Sequence, residues 1–193
     1  MNSSASIIKS VGQSDNTVCT YFFFDSRDAQ ASLQSYDGLL RSIAYQLCVH
    51  LDTLPGILVT AYNNCGSGTS MPSRDLVQQI CCAALQQLPE AFIIIDALDE
   101  CNEIGQVAGW MQKLLTAGGG RLHVLITSRD KPDITIHLSK ISQQQVIHLD
   151  DFTDVDIKLY IDSRMKESEQ LQLWSADIQT NITESLLSGA GGM

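Results

Sequence analysis

Two segments of the 193-residue chain concentrate residues able to do chemistry. In the first, the apolar run Phe92-Ile93-Ile94-Ile95 leads straight into Asp96-Ala97-Leu98-Asp99-Glu100. A buried strand that ends in a carboxylate places Asp96 at the carboxyl edge of a sheet, where open α/β sheets bind ligands. Asp99 and Glu100 follow within one turn, so three carboxylates are expected to crowd one region and to repel one another unless a cation sits there. In phosphoryl-transfer sites the first acid holds Mg²⁺, directly or through water, and a nearby acid orients or deprotonates the attacking water. The competing reading is a solvated acidic turn that caps the next helix. The second segment is Leu122-His123-Val124-Leu125-Ile126-Thr127-Ser128-Arg129. It too delivers polar groups to a strand end: Thr127 or Ser128 to sense a terminal phosphate, Arg129 to pair with phosphate or with the acidic cluster. The plain alternative is a loop arginine that pairs with any carboxylate nearby.

Short apolar runs rich in β-branched and aromatic residues alternate with longer helical ones, which predicts an α/β domain around a mostly parallel sheet. Four strands are expected: Thr17 to Phe24, Ala91 to Ile95, Leu122 to Thr127 and Gln145 to Leu149. Between them, Leu39, Leu40, Ile43, Leu47 and Leu51 recur at helical spacing, as do Leu76, Ile80, Ala84 and Leu88. A third amphipathic helix is read from Ile104 to Leu115, a fourth from a capping box at Thr153-Asp154-Val155-Asp156 through Lys166, and a last one from Asp177 to Leu187.

Composition excludes several classes of function. Twelve Lys+Arg against 22 Asp+Glu give a formal charge of −10, which disfavours both the nucleic-acid backbone and anionic membrane surfaces. No apolar stretch reaches the roughly 20 residues of a membrane span. Met1-Asn2-Ser3-Ser4-Ala5-Ser6 lacks the basic and apolar regions of a signal peptide, so a cytoplasmic location is expected. The six cysteines form no CxxC and lie far in sequence from the histidines, so they read as buried or half-buried free thiols rather than a zinc site.

Taken together, FIIIDALDEC resembles the extended Walker B motif of NACHT-type STAND nucleotidases, and HVLITSRDKPDI resembles their sensor 1 strand. The similarity extends to YFFFDSRDAQ, LLRSIAYQL, DDFTDVDIKLYIDSRM and WSADIQTNITESLL, and points in particular to fungal, NLR-like NACHT proteins with a nephrocystin-3-like N-terminal region. The resemblance implies a three-layer α/β/α P-loop NTPase core. It gives Asp96 the Mg²⁺-coordinating position, Asp99 and Glu100 the acidic pair used in hydrolysis, and Arg129 the place of the sensor 1 arginine. It implies Mg²⁺ with ATP or GTP as cofactors of the intact family. Its members are cytosolic signal-transducing NTPases that switch between closed and oligomeric states, often in self-recognition or innate defence.

One departure changes what the resemblance implies. Residues 1–193 contain no GxxxxGK[ST] loop. Relatives carry it just upstream of a helix that Ser3 to Val11 resembles, so the chain is expected to begin after the Walker A motif and to stop before the lid is complete. The strand preceding that loop, which in relatives lies between the counterparts of Leu122–Thr127 and Gln145–Leu149, is then missing from the sheet. Gly66 to Ser70 and Gly118-Gly119-Gly120 lack the lysine and the entering strand of a substitute loop. Without backbone N–H groups and a lysine to cradle phosphates, nucleotide affinity falls away, leaving weak Mg²⁺ binding at most. The reading is a partial NACHT core over residues 1–150 and the beginning of a helical lid over 151–193. It predicts an interaction or regulatory module that does not hydrolyse nucleotide alone and that has protein partners or self-associates. An autonomous metal-dependent phosphohydrolase built on Asp96, Asp99 and Glu100 is the alternative.

Overall fold

A computed structural model describes residues 3–11, 17–27, 31–66, 68–142, 144–148 and 150–190. The chain divides into two units, 1–143 and 144–193.

The first unit runs α1 (Ser3–Val11), β1 (Val18–Phe23), α2 (Tyr36–Val49), α3 (Gly56–Asn64), α4 (Arg74–Gln87), β2 (Ala91–Asp96), α5 (Ile104–Gly118), β3 (Leu122–Ile126) and α6 (Pro132–Leu138). The expected α/β fold forms, with a three-stranded parallel sheet in the order β1-β2-β3. The register aligns Val18, Ala91 and Leu122 across the sheet, then Thr20, Ile93 and Val124, then Phe22, Ile95 and Ile126. These rows share a face because side chains alternate along a strand. That face buries against α2, α4 and α5 through Leu39, Leu40, Ile43, Leu47, Ile80, Ala84, Met111 and Leu114. The one buried polar side chain in this layer, Thr20, donates to Phe92 O at 3.2 Å. The helix α1 contacts β1 and β2.

Local chemistry sets the helix starts. Ser35 caps α2 by accepting from the Gly38 N–H, and Ser73 caps α4 by accepting from the Leu76 N–H. Gly38 is required by close approach, since a Cβ there would lie 1.9 Å from Ser32 O. The two sheet edges are treated differently. On β1, the Gln46 side-chain amide of α2 accepts from the Tyr21 N–H at 3.0 Å and donates to the Tyr21 carbonyl at 2.8 Å, standing in for a neighbouring strand. On β3, no strand among the described residues adjoins the outer side.

The expected fourth strand does not form. Residues 144–148 are irregular, with Val146 and Ile147 each 64% exposed, and Leu149 lies outside the described residues. A β-rich run states a preference for a pleated, half-buried surface and supplies no partner of its own; this one pairs with no strand among the described residues.

The second unit holds α7 (Asp150–Glu167), α8 (Glu169–Gln172) and α9 (Ala176–Ala190), with α7 packed on α8 and α9. Because α7 begins at Asp150, Thr153 lies inside the helix rather than at its cap. The Gln179 amide donates to the carbonyls of Leu171 and Trp174, fastening the start of α9 to the preceding turn. No described helix is long and apolar enough to cross a membrane. The six cysteines are free thiols, three buried and three half-buried. Burial pushes the Cys81 thiol far above the usual thiol range, with Cys82 and Cys48 adding to the shift.

Candidate functional site

The parallel pairing of β2 with β3, with Ile95 opposite Ile126, brings the next residues of both strands side by side at the carboxyl edge. Thr127 Oγ1 donates to Asp96 Oδ1 at 2.5 Å and accepts from the Ala97 N–H at 3.1 Å. The Thr127 N–H donates to Ile95 O at 2.9 Å, and the Leu98 N–H donates to Thr127 O at 3.0 Å, so the ladder continues past the regular strand. From the other side, the Phe24 N–H donates to Asp96 O at 3.1 Å.

Immediately after Asp96 the chain reverses. Ala97 has φ 55° and ψ 48°, and it is the only non-glycine residue with positive φ among the described residues. An L-residue pays about 1–2 kcal/mol for that conformation, and such strain gathers where a loop must aim functional groups. The turn lets Leu98 drop, fully buried, into the core and opens a 3-10 turn over Leu98–Glu100. Three residues per turn rotate neighbouring side chains apart by about 120°, so Asp99 and Glu100 diverge.

The Asp99 side chain is only 5% exposed and faces Arg129 Nε and Lys131 Nζ, each at 3.5 Å from Oδ2. Its Oδ1 accepts from the Arg129 N–H at 3.2 Å, and Lys131 Nζ also donates to the Asp99 carbonyl at 3.2 Å. Glu100 points the other way, accepting from the Ser26 N–H in the loop after β1. Ser128 is exposed and donates to Arg129 O at 2.8 Å.

The structure thus joins Asp96 to Thr127 and Asp99 to Arg129, turns Glu100 away to Ser26, and bonds the Ser128 hydroxyl to the Arg129 carbonyl rather than to either carboxylate. The expected crowding of three carboxylates is resolved by giving each a different partner. Among the described residues no group of three or more His, Cys, Asp or Glu could hold a metal ion. A single strand-end carboxylate, Asp96, suits Mg²⁺ that completes its octahedron with waters and phosphate oxygens, and does not suit a centre made of protein ligands alone.

Sequence reasoning missed Lys131, signalled only by a second cation two residues after Arg129. It also missed a network at the starts of α2, α4 and α5. Arg41 Nε donates to Asp37 Oδ2 at 2.7 Å, and Arg74 Nη1 donates to Glu103 Oε1 at 2.9 Å while its Nε lies 3.4 Å from Asp37. Glu103 Oε2 also accepts from the Tyr36 N–H at 3.0 Å. The hydrogen bond from Arg41, helped by the charges of Arg41 and Arg74, holds the Asp37 carboxyl below its usual range against the opposing effect of burial.

These features define an α/β domain whose parallel sheet presents an acid at the end of its middle strand, braced by the polar end of the next one. The chain belongs to the nephrocystin 3 N-terminal family, whose family model matches residues 3–129. That stretch holds all three strands and ends at Arg129, so both segments of the candidate site fall inside it. No curated protein and no solved structure matches the chain.

Proposed function

We propose that this domain is the acid-and-sensor portion of a NACHT-type STAND nucleotidase and works as a regulatory or interaction module, not as a self-sufficient hydrolase. The observation that carries the reading is the Thr127 to Asp96 hydrogen bond, which locks the acid of one strand to the polar end of the next at the carboxyl edge. Asp96 would hold Mg²⁺ there, and the ion would supply charge neutralisation to nucleotide phosphates. Asp99, clamped between Arg129 and Lys131, would set the position of the Arg129 guanidinium, which is 79% exposed and able to meet an anion. Glu100 would be freed for water activation only by leaving its contact with Ser26. Hydrolysis further requires phosphate-cradling N–H groups and a lysine, and residues 1–193 contain no GxxxxGK[ST] loop. The alternative of an autonomous phosphohydrolase is weakened by the pairing of Asp99 with two cations, which removes a carboxylate from any metal set.

A steady-state assay with ATP and with GTP, in Mg²⁺, tests the proposal. The purified chain is expected to show the same background rate as its Asp96→Asn variant. Turnover that disappears in Asp96→Asn would overturn the reading and establish the phosphohydrolase. In the same preparations, equilibrium dialysis with labelled nucleotide should find no tight site.

A further inference from the structure

Two parts of the chain carry strand-forming potential that the structure leaves unused. The first is the outer side of β3. Because the Thr127 N–H donates to Ile95 O and ladder bonds repeat every second residue along a strand, the N–H and C=O groups of Val124 and Ile126 face away from β2. No strand among the described residues meets them, and Val124 and Ile126 are only half-buried while Leu125 is 36% exposed. The second is the run 144–148, irregular and exposed at every residue, with Val146 and Ile147 each 64% exposed.

Charge and side-chain pattern fix how run and edge fit. Parallel addition would carry Asp150 and Asp151 to the carboxyl edge, which already holds Asp96, Asp99 and Glu100 against the two cations Arg129 and Lys131, and like charges oppose it. Antiparallel addition sends those acids to the amino end instead. With Ile147 opposite Val124, Val146 falls opposite Leu125, so apolar side chains meet on both faces of the sheet. The same register, carried on, sets Asp150 opposite Arg121. That arginine is exposed, donates to Leu88 O at 3.3 Å and has no ion pair among the described residues. Shifting the run by one residue, with Ile147 opposite Leu125, keeps apolar pairs but puts Asp150 opposite the buried Leu122.

We propose that the outer edge of β3 is a strand-addition site for residues 144–148 of a second copy of this chain, antiparallel and with Ile147 opposite Val124. The chain's own run pairs with no strand among the described residues, so each copy gives its run and receives the other's. Such a contact uses the same two surfaces on both molecules and closes at a dimer. An antiparallel edge strand on an otherwise parallel sheet is a common arrangement.

Sedimentation velocity of the full chain from micromolar to millimolar concentration, with amide exchange read at both ends of that range, tests the proposal. The expected result is a monomer–dimer equilibrium in which the amides of Val124, Ile126, Gln145 and Ile147 slow as the dimer fills, while that of Val146, which faces away from β3 in this register, stays fast. Ile147→Lys alters a residue that is already exposed, so the monomer should melt as the parent does, while dimerisation weakens about tenfold because both contacts lose an apolar cross-strand pair. Asp150→Arg should weaken it as well, and adding Arg121→Asp should restore it. The proposal is overturned if the chain stays monomeric throughout, if Ile147→Lys leaves a dimer unchanged, or if the double charge reversal fails to restore association. It is equally overturned if Val124 and Ile126 exchange slowly in the monomer, because the edge would then be covered from within the chain.

Discussion

Thr127 joins two strand ends through one hydroxyl, donating a hydrogen bond to Asp96 and accepting one from the Ala97 N–H. Both partners lie where the chain leaves the sheet, so the hydroxyl orients the acid and pins the turn at once. Thr127→Val keeps the shape and leaves a half-buried carboxylate and an amide without this partner. It should cost about 1–3 kcal/mol, read as a lower urea midpoint at unchanged slope, whereas Thr127→Ser should stay close to the parent. Equal midpoints for the Val and Ser variants would mean that the hydroxyl contributes nothing to the turn.

The left-handed backbone at Ala97 makes a second prediction with opposite signs for two substitutions. Ala97→Gly relieves the strain but adds freedom to the unfolded chain, worth about 0.4–1 kcal/mol, so it should be neutral or mildly stabilising. Ala97→Val places a β-branched side chain in a region it rarely enters and should lose more than about 1 kcal/mol. If thermal melts show Val tolerated as well as Gly, the turn at 97 is not held in the left-handed conformation.

What could be read from the sequence divides along physical lines. The three strands that formed carry apolar side chains on both faces or end in a polar group at a sheet edge, and the helices α2, α4 and α5 were visible because Leu39 to Leu51, Leu76 to Leu88 and Val107 to Leu115 repeat at the helical period. Gln145 to Leu149 has the same local composition as a strand, yet pairing is a long-range property that no local run encodes. The site was half legible. Asp96, Asp99, Thr127 and Arg129 were visible as polar residues at the ends of apolar runs, but the divergence of Glu100 depends on a left-handed alanine, a residue type that gives no warning of positive φ. Lys131 and the Asp37, Arg74 and Glu103 network join segments up to 67 residues apart through Tyr36 and Glu103, beyond the reach of spacing rules.

That network should shape the acid limb of stability. The Asp37 carboxyl is held below its ordinary value of 3.8, first by its hydrogen bond from Arg41. A folded-state value below the unfolded one means that the unfolded chain binds the proton more readily. The contribution of Asp37 is therefore fully present above the ordinary carboxyl pKa and lost as pH falls through the lowered folded value. Asp37→Asn should lower stability at pH 7 and narrow its gap to the parent as the medium is acidified below about pH 4. Chemical denaturation across that range checks it, and a gap that stays constant with pH would remove Asp37 from the acid response.

The two edges of the sheet should behave differently in hydrogen exchange. Because the Thr127 N–H donates to Ile95 O and ladder bonds in a strand repeat every second residue, the N–H groups of His123 and Leu125 face β2 and those of Val124 and Ile126 face outward. On that outer side no strand stands among the described residues, and Val124 and Ile126 are half-buried where their sheet neighbours Ile93 and Ile95 are fully buried. At the opposite edge the Tyr21 N–H is held by Gln46. Val124 and Ile126 amides should therefore exchange much faster than those of Leu125, Ile94 and Tyr21, and Gln46→Ala should bring Tyr21 up to the fast class without touching Leu125. An open, apolar edge also invites pairing with another chain, so concentration-dependent light scattering should fall in Leu125→Lys, whose side chain sits on the edge strand at 36% exposure. Slow exchange at Val124 and Ile126 in a monodisperse monomer would show that the outer side of β3 is covered, and the account of an unprotected edge would have to be abandoned.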